Sequence, residues 1–141
     1  MTDFENRAAR YEAELRAEGV RITRQRLAML RVLAEASDHP DANDLFRRVL
    51  ERDNSVSLST IYRTLAVLEK RGVIYRHEFE DGRARFEQAD RQHHDHLIDV
   101  ETGQVIEFRS EKIERLQAEI AAELGYEIVR HRLELYGMKR T

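Results

Sequence analysis

Residues 58–87, LSTIYRTLAVLEKRGVIYRHEFEDGRARFE, indicate the fold of this chain more directly than any other stretch. Apolar residues spaced three and four apart predict a helix over residues 58–71, which Gly72 ends. The apolar side of this helix comprises Leu58, Ile61, Leu65 and Leu68. The runs 73–79 and 83–87 then flank Glu-Asp-Gly, a turn signal typical of a β-hairpin. A helix followed directly by a hairpin is therefore predicted.

The outer face of this helix has an unusual mixture of side chains. It carries Ser59, Thr60, Arg63, Val67 and Lys70, with Tyr62 at its edge. Hydroxyls, cations and an aliphatic group beside an aromatic ring suit hydrogen bonds to phosphates and base edges and contacts with thymine methyl groups. A solvated surface helix is the alternative, but such a face usually carries acids as freely as cations, and Glu69 is the only acid here.

Three further helices are predicted before this stretch. The first spans residues 3–18, the second follows Thr23 as its N-cap and runs to about Ala36, and Pro40 opens the third. Three short helices, a fourth with a cationic outer face and then a hairpin follow the order of a winged helix-turn-helix. We assign residues 1–87 to such a DNA-binding domain.

Composition indicates one or two small domains in a chain of 141 residues, of which 36% are charged and 41% apolar. No apolar run approaches the roughly 18 residues of a membrane span, and residues 1–18 are too polar and acidic for a secretory signal. The chain has no cysteine, which excludes disulfides and thiolate metal sites. A cytoplasmic location without a membrane partner is the expectation.

Charge is unevenly distributed along the chain. Up to Arg85, 16 Lys and Arg residues stand against 15 Asp and Glu, whereas residues 86–141 hold 8 against 12. The acid-free segment 19–34 contains four arginines: Arg21, Arg24, Arg26 and Arg31. A localised basic stripe on an acidic chain indicates an anionic partner, although four arginines alone are about as often an ordinary solvated helix face.

The second part of the chain, residues 93–141, follows a composition shift at 88–92 that we assign to a hinge. Its predicted elements are strands at 97–100 and 104–108, a helix capped by Ser110, and a strand at 127–136. About fifty residues are too few to bury both faces of such a sheet, so a homodimer is expected to continue or cover it. The predicted fold class is α+β, an N-terminal winged helix-turn-helix domain followed by a small α/β dimerisation and metal-binding domain.

The run His93-His94-Asp95-His96 places four potential metal ligands in four consecutive residues. In an extended segment, successive side chains point to opposite sides, so His94 and His96 share one face while His93 and Asp95 share the other. This geometry predicts two sites back to back, each completed by ligands from elsewhere. Imidazole and carboxylate ligands without thiolate suit Fe(II), Mn(II) or Zn(II). A solvated polar stretch is the alternative.

Several blocks of the chain, in the same order, resemble the ferric uptake regulator family of metal-dependent bacterial transcription repressors, and its iron- or manganese-responsive branch in particular. The blocks are GVRITRQR at 19–26, STIYRTL at 59–65, HHDHLI at 93–98, VIEF at 105–108 and LELYG at 133–137. The resemblance implies a homodimeric repressor of metal-uptake genes that binds double-stranded operator DNA. The residues it assigns to DNA are Arg21, Ser59, Thr60, Tyr62 and Arg63. Because a narrow minor groove attracts arginine, an A·T-rich operator is expected.

The family's metal ligands carry over residue by residue into two sets. The hinge site resembles His39, Glu87, His94, His96 and Glu107, and the dimer-domain site resembles His93, Asp95, Glu114 and His131. This division agrees with the alternation of side chains along residues 93–96, which does not depend on the resemblance. Taken singly, the remote residues have plainer alternatives, such as a helix cap for His39, a solvated helix residue for Glu114 and a core histidine for His131.

The chain departs from the family pattern at two places. Many members hold a structural zinc with paired Cys-x-x-Cys, whereas the corresponding positions here are Asp99 and Thr102, so a Cys-ligated structural zinc is excluded. The peroxide-sensing branch typically has aspartates at the two carboxylate positions of the hinge site, where this chain has Glu87 and Glu107. This difference disfavours peroxide sensing.

The expected function is metal-dependent repression rather than catalysis. Fe(II), or else Mn(II), would act as co-repressor by binding ligands from both domains and favouring one domain arrangement, and Zn(II) could occupy either site. Two other classes compete: a metal-dependent hydrolase, since such ligands can activate water, and a metal store or chaperone. Both leave the cationic helix and the hairpin without a role, so the chain is not expected to be an enzyme.

Overall fold

The structure, a computed structural model, describes residues 2–89 and 93–141. The chain divides into two compact units, Met1–Arg91 and Gln92–Thr141, which we call the N-terminal and C-terminal units. The predicted hinge at 88–92 falls at this division. Its residues 90–92 lie outside the described residues, and Gln88 still belongs to a strand. No helix in the described ranges is long and apolar enough to cross a membrane.

Four helices form most of the N-terminal unit. They are α1 (Asp3–Ala17), α2 (Arg24–Glu35), α3 (Ala42–Leu50) and α4 (Leu58–Lys70), with Thr2, Thr23, Asp41 and Ser57 as N-caps. Each cap side chain accepts a hydrogen bond from a backbone N–H of the first turn, which satisfies a donor that the helix cannot pair itself. The prediction that Pro40 opens α3 was wrong by two residues, because Asp41 is the cap and the Pro40 carbonyl instead accepts from Phe86 N at 3.0 Å.

A β-hairpin completes this unit. Strands β1 (Ile74–Glu78) and β2 (Ala84–Gln88) pair antiparallel, with Arg76 opposite Phe86. Gly82 in the connecting turn has φ +79°, a left-handed conformation that glycine adopts without strain. Together with α4, the hairpin gives the helix-then-wing order that the sequence predicts.

The core of the N-terminal unit joins all four helices to the hairpin. Its fully buried side chains include Tyr11, Leu15, Met29, Leu30, Leu45, Val49, Ile61, Leu68 and Ile74. Val67, predicted on the outer face of α4, is half-buried and packs against this core, whereas Tyr62 and Arg63 are exposed. Packing on one side of α4 therefore leaves Tyr62 and Arg63 facing solvent.

The C-terminal unit is a three-stranded sheet with one helix. Its elements are β3 (Asp95–Asp99), β4 (Val105–Phe108), α5 (Glu111–Glu123) and β5 (Glu134–Gly137). The strand order is β4-β3-β5, with β4 antiparallel and β5 parallel to β3. β3 begins two residues earlier than predicted, because Asp95 already pairs with Phe108.

The long final strand predicted at 127–136 was wrong over most of its length. Only Glu134–Gly137 is a strand, and it pairs with β3 from His96 to Asp99. Upstream, the Leu133 carbonyl still accepts from His96 N at 3.3 Å, but residues 127–133 form no strand, and β3 is only five residues long. A strand needs a partner for its hydrogen bonds, which alternation of side chains alone cannot supply.

Helix α5 has no buried residue in this chain. Leu116, Ile120 and Leu124 lie on one face, at intervals of four residues, and are 57%, 49% and 71% exposed. Beyond the helix, Tyr126 and Val129 are 76% and 91% exposed. The C-terminal unit thus presents a large uncovered apolar surface, which is unusual for a chain that acts alone.

Candidate metal centres and nucleic-acid interface

Four predicted ligands come together in the C-terminal unit. His93, Asp95, Glu114 and His131 each offer one ligand atom, and these four atoms lie within 4.8 Å of one another. His131 Nε2 lies 3.0 Å from Asp95 Oδ1, and His93 Nε2 lies 3.3 Å from His131 Nε2. The cluster draws on the start of β3, on α5 and on the segment before β5, so it exists only when the unit is folded.

Two oxygen atoms in this cluster lack a hydrogen-bond donor within the described residues. They are Asp95 Oδ2 and Glu114 Oε1, both inaccessible to solvent. A buried carboxylate oxygen without a donor costs free energy, and a divalent cation would satisfy both atoms. Imidazole nitrogens with carboxylate oxygens are a suitable donor set for Mn(II), Fe(II) or Zn(II), so the residues present fit a metal ion.

Gln117 is a member of this cluster that sequence reasoning missed. Its amide Nε2 lies 2.8 Å from His131 Nδ1 and 3.1 Å from Glu114 Oε2. Its position one turn after Glu114 on α5 is the only sequence signal that could have indicated it.

The N-terminal unit gathers a second group around Glu87, which is buried in β2. Its Oε2 lies 3.0 Å from His39 Nε2, and its Oε1 lies 2.5 Å from His77 Nε2. His39 is buried too, and the ring of His77 stacks on Phe79 with centroids 5.8 Å apart. Of the predicted hinge ligands, this unit therefore brings together His39 and Glu87.

His77 was not among the predicted site residues. The hairpin register places Arg85 opposite His77, so Glu87 is the diagonal neighbour of His77 on the same face. A register derived from the Glu-Asp-Gly turn is the signal that could have found it.

The remaining hinge ligands lie together in the C-terminal unit. The rings of His94 and His96 meet edge to face with centroids 4.9 Å apart, and His94 Nε2 lies 3.7 Å from Glu107 Oε1. His96 and Glu107 are directly opposite each other on β3 and β4. Side-chain alternation at the start of β3 thus separates this group from His93 and Asp95.

Four of the five residues predicted to contact DNA lie in the first two turns of α4: Ser59, Thr60, Tyr62 and Arg63. Ser57 Oγ lies 3.1 Å from Ser59 Oγ and 3.0 Å from Thr60 Oγ1, so three hydroxyls cluster at the helix start. Tyr62 is 53% exposed, and Arg63 is exposed next to it. Backbone N–H groups, hydroxyls and a cation at a helix N-terminus form a surface that favours phosphate.

At the other end of α4, the cations form ion pairs with Glu14 and Glu18. Lys70 Nζ lies 3.0 Å from Glu18 Oε2, and Arg71 donates to both Glu14 and Glu18. Hydrogen bonds from Lys70 and then Arg71 lower the pKa of Glu18 below its usual value. Of the two cations predicted on the outer face of α4, Lys70 is therefore paired with Glu18, although its side chain stays 70% exposed.

The predicted contact Arg21 lies exposed just before α2, where its carbonyl accepts from Arg26 Nη1 at 3.0 Å. Arg24 pairs instead with Asp53 in the loop that leads to α4. Ser55 donates to Asp53 from its hydroxyl and its backbone N–H, and these bonds with that of Arg24 hold the pKa of Asp53 below its usual range. Arg21 and Arg24 are thus both exposed, but the Arg24 guanidinium is paired with Asp53.

The comparisons with known proteins agree with these features. The profile of the ferric uptake regulator family matches residues 17–136. The ferric uptake regulation protein of Brucella abortus is 60% identical over 129 residues, 92% of this chain and 92% of that protein. A zinc-bound manganese uptake regulator is 49% identical with a TM-score of 0.79, over 92% of this chain and 98% of that one. The Helicobacter pylori ferric uptake regulator, whose structure is described as revealing three functional metal binding sites, reaches a TM-score of 0.88 at 26% identity, over 99% and 93% of the two chains. This chain therefore belongs to the ferric uptake regulator family and is a metal-responsive transcriptional regulator with an N-terminal winged helix-turn-helix.

Proposed function

We propose that this protein is a cytoplasmic repressor of metal-uptake genes with Fe(II) as its co-repressor and Mn(II) as the second candidate. The observation that carries the proposal is a pair of incomplete ligand groups, one in each unit. His39 and Glu87 lie 3.0 Å apart in the N-terminal unit, and His94 lies 3.7 Å from Glu107 in the C-terminal unit. The relatives named for ferric and manganese uptake support both metals.

Neither group alone offers a complete coordination shell. A metal that takes ligands from both units binds best when the two groups meet, so it shifts the population of domain arrangements towards that one. In a dimer, this fixes the spacing of the two α4 helices, which must match successive major grooves about 34 Å apart. Metal loss would restore freedom between the units and release DNA.

The proposed DNA contacts begin with α4. Tyr62 and Arg63 would reach the major groove, while Ser59 and Thr60 contact phosphate at the helix start. Arg21 would enter an adjacent minor groove, which is narrow and strongly negative in A·T-rich sequence. This arrangement uses the exposed half of α4 and leaves Lys70 in its ion pair with Glu18.

The homodimer would form through the C-terminal unit. The apolar face of α5 and the segment after it are exposed among the described residues of one chain, and a second copy supplies a matching apolar surface. The dimer-domain site of His93, Asp95, Glu114 and His131 would hold a second metal, for which Zn(II) is suitable, and stiffen this unit.

A mobility-shift assay with and without metal tests the hinge mechanism. The probe is an A·T-rich duplex selected from a random pool by the Mn(II)-loaded protein. His94→Ala and Glu107→Ala should abolish metal-stimulated binding while leaving a folded dimer, because each removes a ligand from the C-terminal group. His131→Ala, in the other cluster, is the matched control and should retain stimulation. Wild-type stimulation in either hinge variant would refute the mechanism, and metal-independent binding by the wild type would refute co-repression.

A further inference from the structure

Gln117 determines which ring nitrogen of His131 carries the proton. Its amide Nε2 can only donate hydrogen bonds, and it faces Glu114 Oε2 at 3.1 Å and His131 Nδ1 at 2.8 Å. His131 Nδ1 is therefore the acceptor, and a neutral His131 carries its proton on Nε2. That nitrogen lies 3.0 Å from Asp95 Oδ1, to which it donates.

This tautomer is incompatible with metal binding at the cluster. Nε2 is the nitrogen of His131 that approaches His93 and Asp95, so a metal there needs the Nε2 lone pair. The proton must then reside on Nδ1, where it meets the donor face of Gln117. Rotation of the Gln117 amide by half a turn replaces this clash with a hydrogen bond from Nδ1–H to Oε1.

We infer that Gln117 is a positioning residue of the dimer-domain metal site, whose amide turns over when the metal binds and thereby selects the ligating tautomer of His131. The inference rests on the proposed metal site. In the bound state the amide oxygen accepts from Nδ1–H, an outer hydrogen bond that orients a ligating histidine and makes it more basic. The same rotation removes the donor from Glu114 Oε2 and brings the amide oxygen towards it, a repulsion that is relieved if this carboxylate oxygen turns towards the metal. Glu114 Oε1 already lies 3.5 Å from His93 Nε2.

Two substitutions at Gln117 in the whole 141-residue chain test whether this side chain accepts a hydrogen bond from His131 Nδ1–H in the metal-bound state. Gln117→Met keeps the side-chain volume and removes the Gln117 hydrogen bonds of both the metal-free and the bound state. The bound-state bond from Nδ1–H of a metal-bound ring is the stronger, so Zn(II) affinity at this site should fall by roughly 10- to 100-fold. Gln117→Glu provides a permanent acceptor for Nδ1–H and should bind Zn(II) at least as tightly as the wild type. Ala118→Glu, at an exposed neighbouring position, is the control for added charge and should bind less tightly than Gln117→Glu.

Nitrogen-15 NMR of the histidine rings at alkaline pH reports the tautomer, which a merely structural role would not change. His131 should carry its proton on Nε2 in the metal-free wild type and on Nδ1 after Zn(II) is added. In metal-free Gln117→Glu the proton should already be on Nδ1. Equal Zn(II) affinity of Gln117→Met and wild type, or an Nδ1 proton in the metal-free wild type, would overturn the inference.

The proposed site and the role of Gln117 fail in different ways. If replacing His93 and His131 together leaves the Zn(II) stoichiometry unchanged, the metal site itself is wrong. If that double variant loses one equivalent but Gln117→Met binds normally, only the role of Gln117 is wrong.

Discussion

At the scale of single residues, Asp99 shows how this chain manages without a cysteine-ligated zinc. It stands where many family members have the first cysteine of a pair, at the end of β3. Its Oδ1 accepts from the backbone N–H of Glu101 at 2.8 Å and of Thr102 at 3.2 Å. Gly103, with φ +78°, closes the turn by donating to the Asp99 carbonyl at 2.8 Å. One buried carboxylate therefore organises this turn.

Asp99→Asn should lower the thermal unfolding midpoint near neutral pH. The decrease relative to the wild type should be smaller at acid pH. The backbone N–H of Glu101, followed by that of Thr102, lowers the pKa of Asp99 in the folded protein. A lowered folded pKa contributes stability above the unfolded value of about 3.9, and this contribution is lost as the pH falls through the folded pKa. Thermal unfolding followed by circular dichroism across this range measures the effect.

Glu101→Gln is the control for Asp99, because Glu101 is exposed in the same turn and contributes only its backbone N–H. It should unfold close to the wild type at neutral pH. An Asp99→Asn deficit of the same size at neutral and acid pH would show that the ionised carboxylate is not the stabilising group.

At the scale of elements, the two ends of α4 have different roles. Its first half exposes Tyr62 and Arg63, whereas Lys70 is held by Glu18 on α1. Within the described residues, Arg63 has no hydrogen bond or ion pair that would have to be broken before it meets DNA. Helix α5 differs again, because its apolar face is exposed in the part of the chain that the structure describes.

Arg63→Ala should weaken operator binding strongly without changing metal affinity in the absence of DNA. A lost base contact costs roughly 1–3 kcal/mol, and each lost phosphate contact lowers the salt slope of log K by roughly 0.9. Binding isotherms over a series of salt concentrations distinguish the two kinds of contact. Lys70→Ala removes an equal charge from the same helix and should retain most of the affinity. Normal binding by Arg63→Ala at every salt concentration would contradict the role of α4.

Leu116→Glu should dissociate the proposed dimer, because it places a charge within the apolar face of α5. Sedimentation velocity measures the change in mass. Ala122→Glu adds the same charge on the opposite, exposed side of the helix and should remain dimeric. If Leu116→Glu has the wild-type mass, the subunits meet through another surface.

At the scale of the whole molecule, the histidine run supplies ligands to two separate groups. His93 and Asp95 belong to the cluster with Glu114 and His131, whereas His94 and His96 lie together near Glu107. Metal count and DNA affinity should therefore be separable properties of this protein. One group would stabilise the C-terminal unit, and the other would control the arrangement of the two units.

Replacing His93 and His131 together should remove one metal equivalent per chain and leave the hinge group able to bind. Binding to the folded state alone stabilises by about 2.7 kcal/mol at a hundredfold excess over Kd, so melting with metal should reveal the loss. Elemental analysis gives the stoichiometry. If the double variant retains the wild-type metal count, or loses both equivalents together, residues 93–96 do not supply ligands to two independent sites.

The sequence by itself determined the helices, the caps Thr23 and Ser110 and the hairpin, and it predicted a set of metal ligands for each of two groups. These features depend on local periodicity, on capping chemistry and on matched motifs, all of which are contained in short segments. Thr23 and Ser110 are caps where they were predicted, and α4 ends before Gly72.

Only the tertiary structure decided the features that depend on partners distant in sequence. The strand predicted at 127–136 shortened to Glu134–Gly137, because strand hydrogen bonds need a neighbour and β3 is short. His77 approaches Glu87 through the hairpin register, and Gln117 approaches His131 because α5 packs beside the segment before β5. Side-chain chemistry can be predicted residue by residue, but which two side chains meet is set by strand pairing and packing of the whole unit.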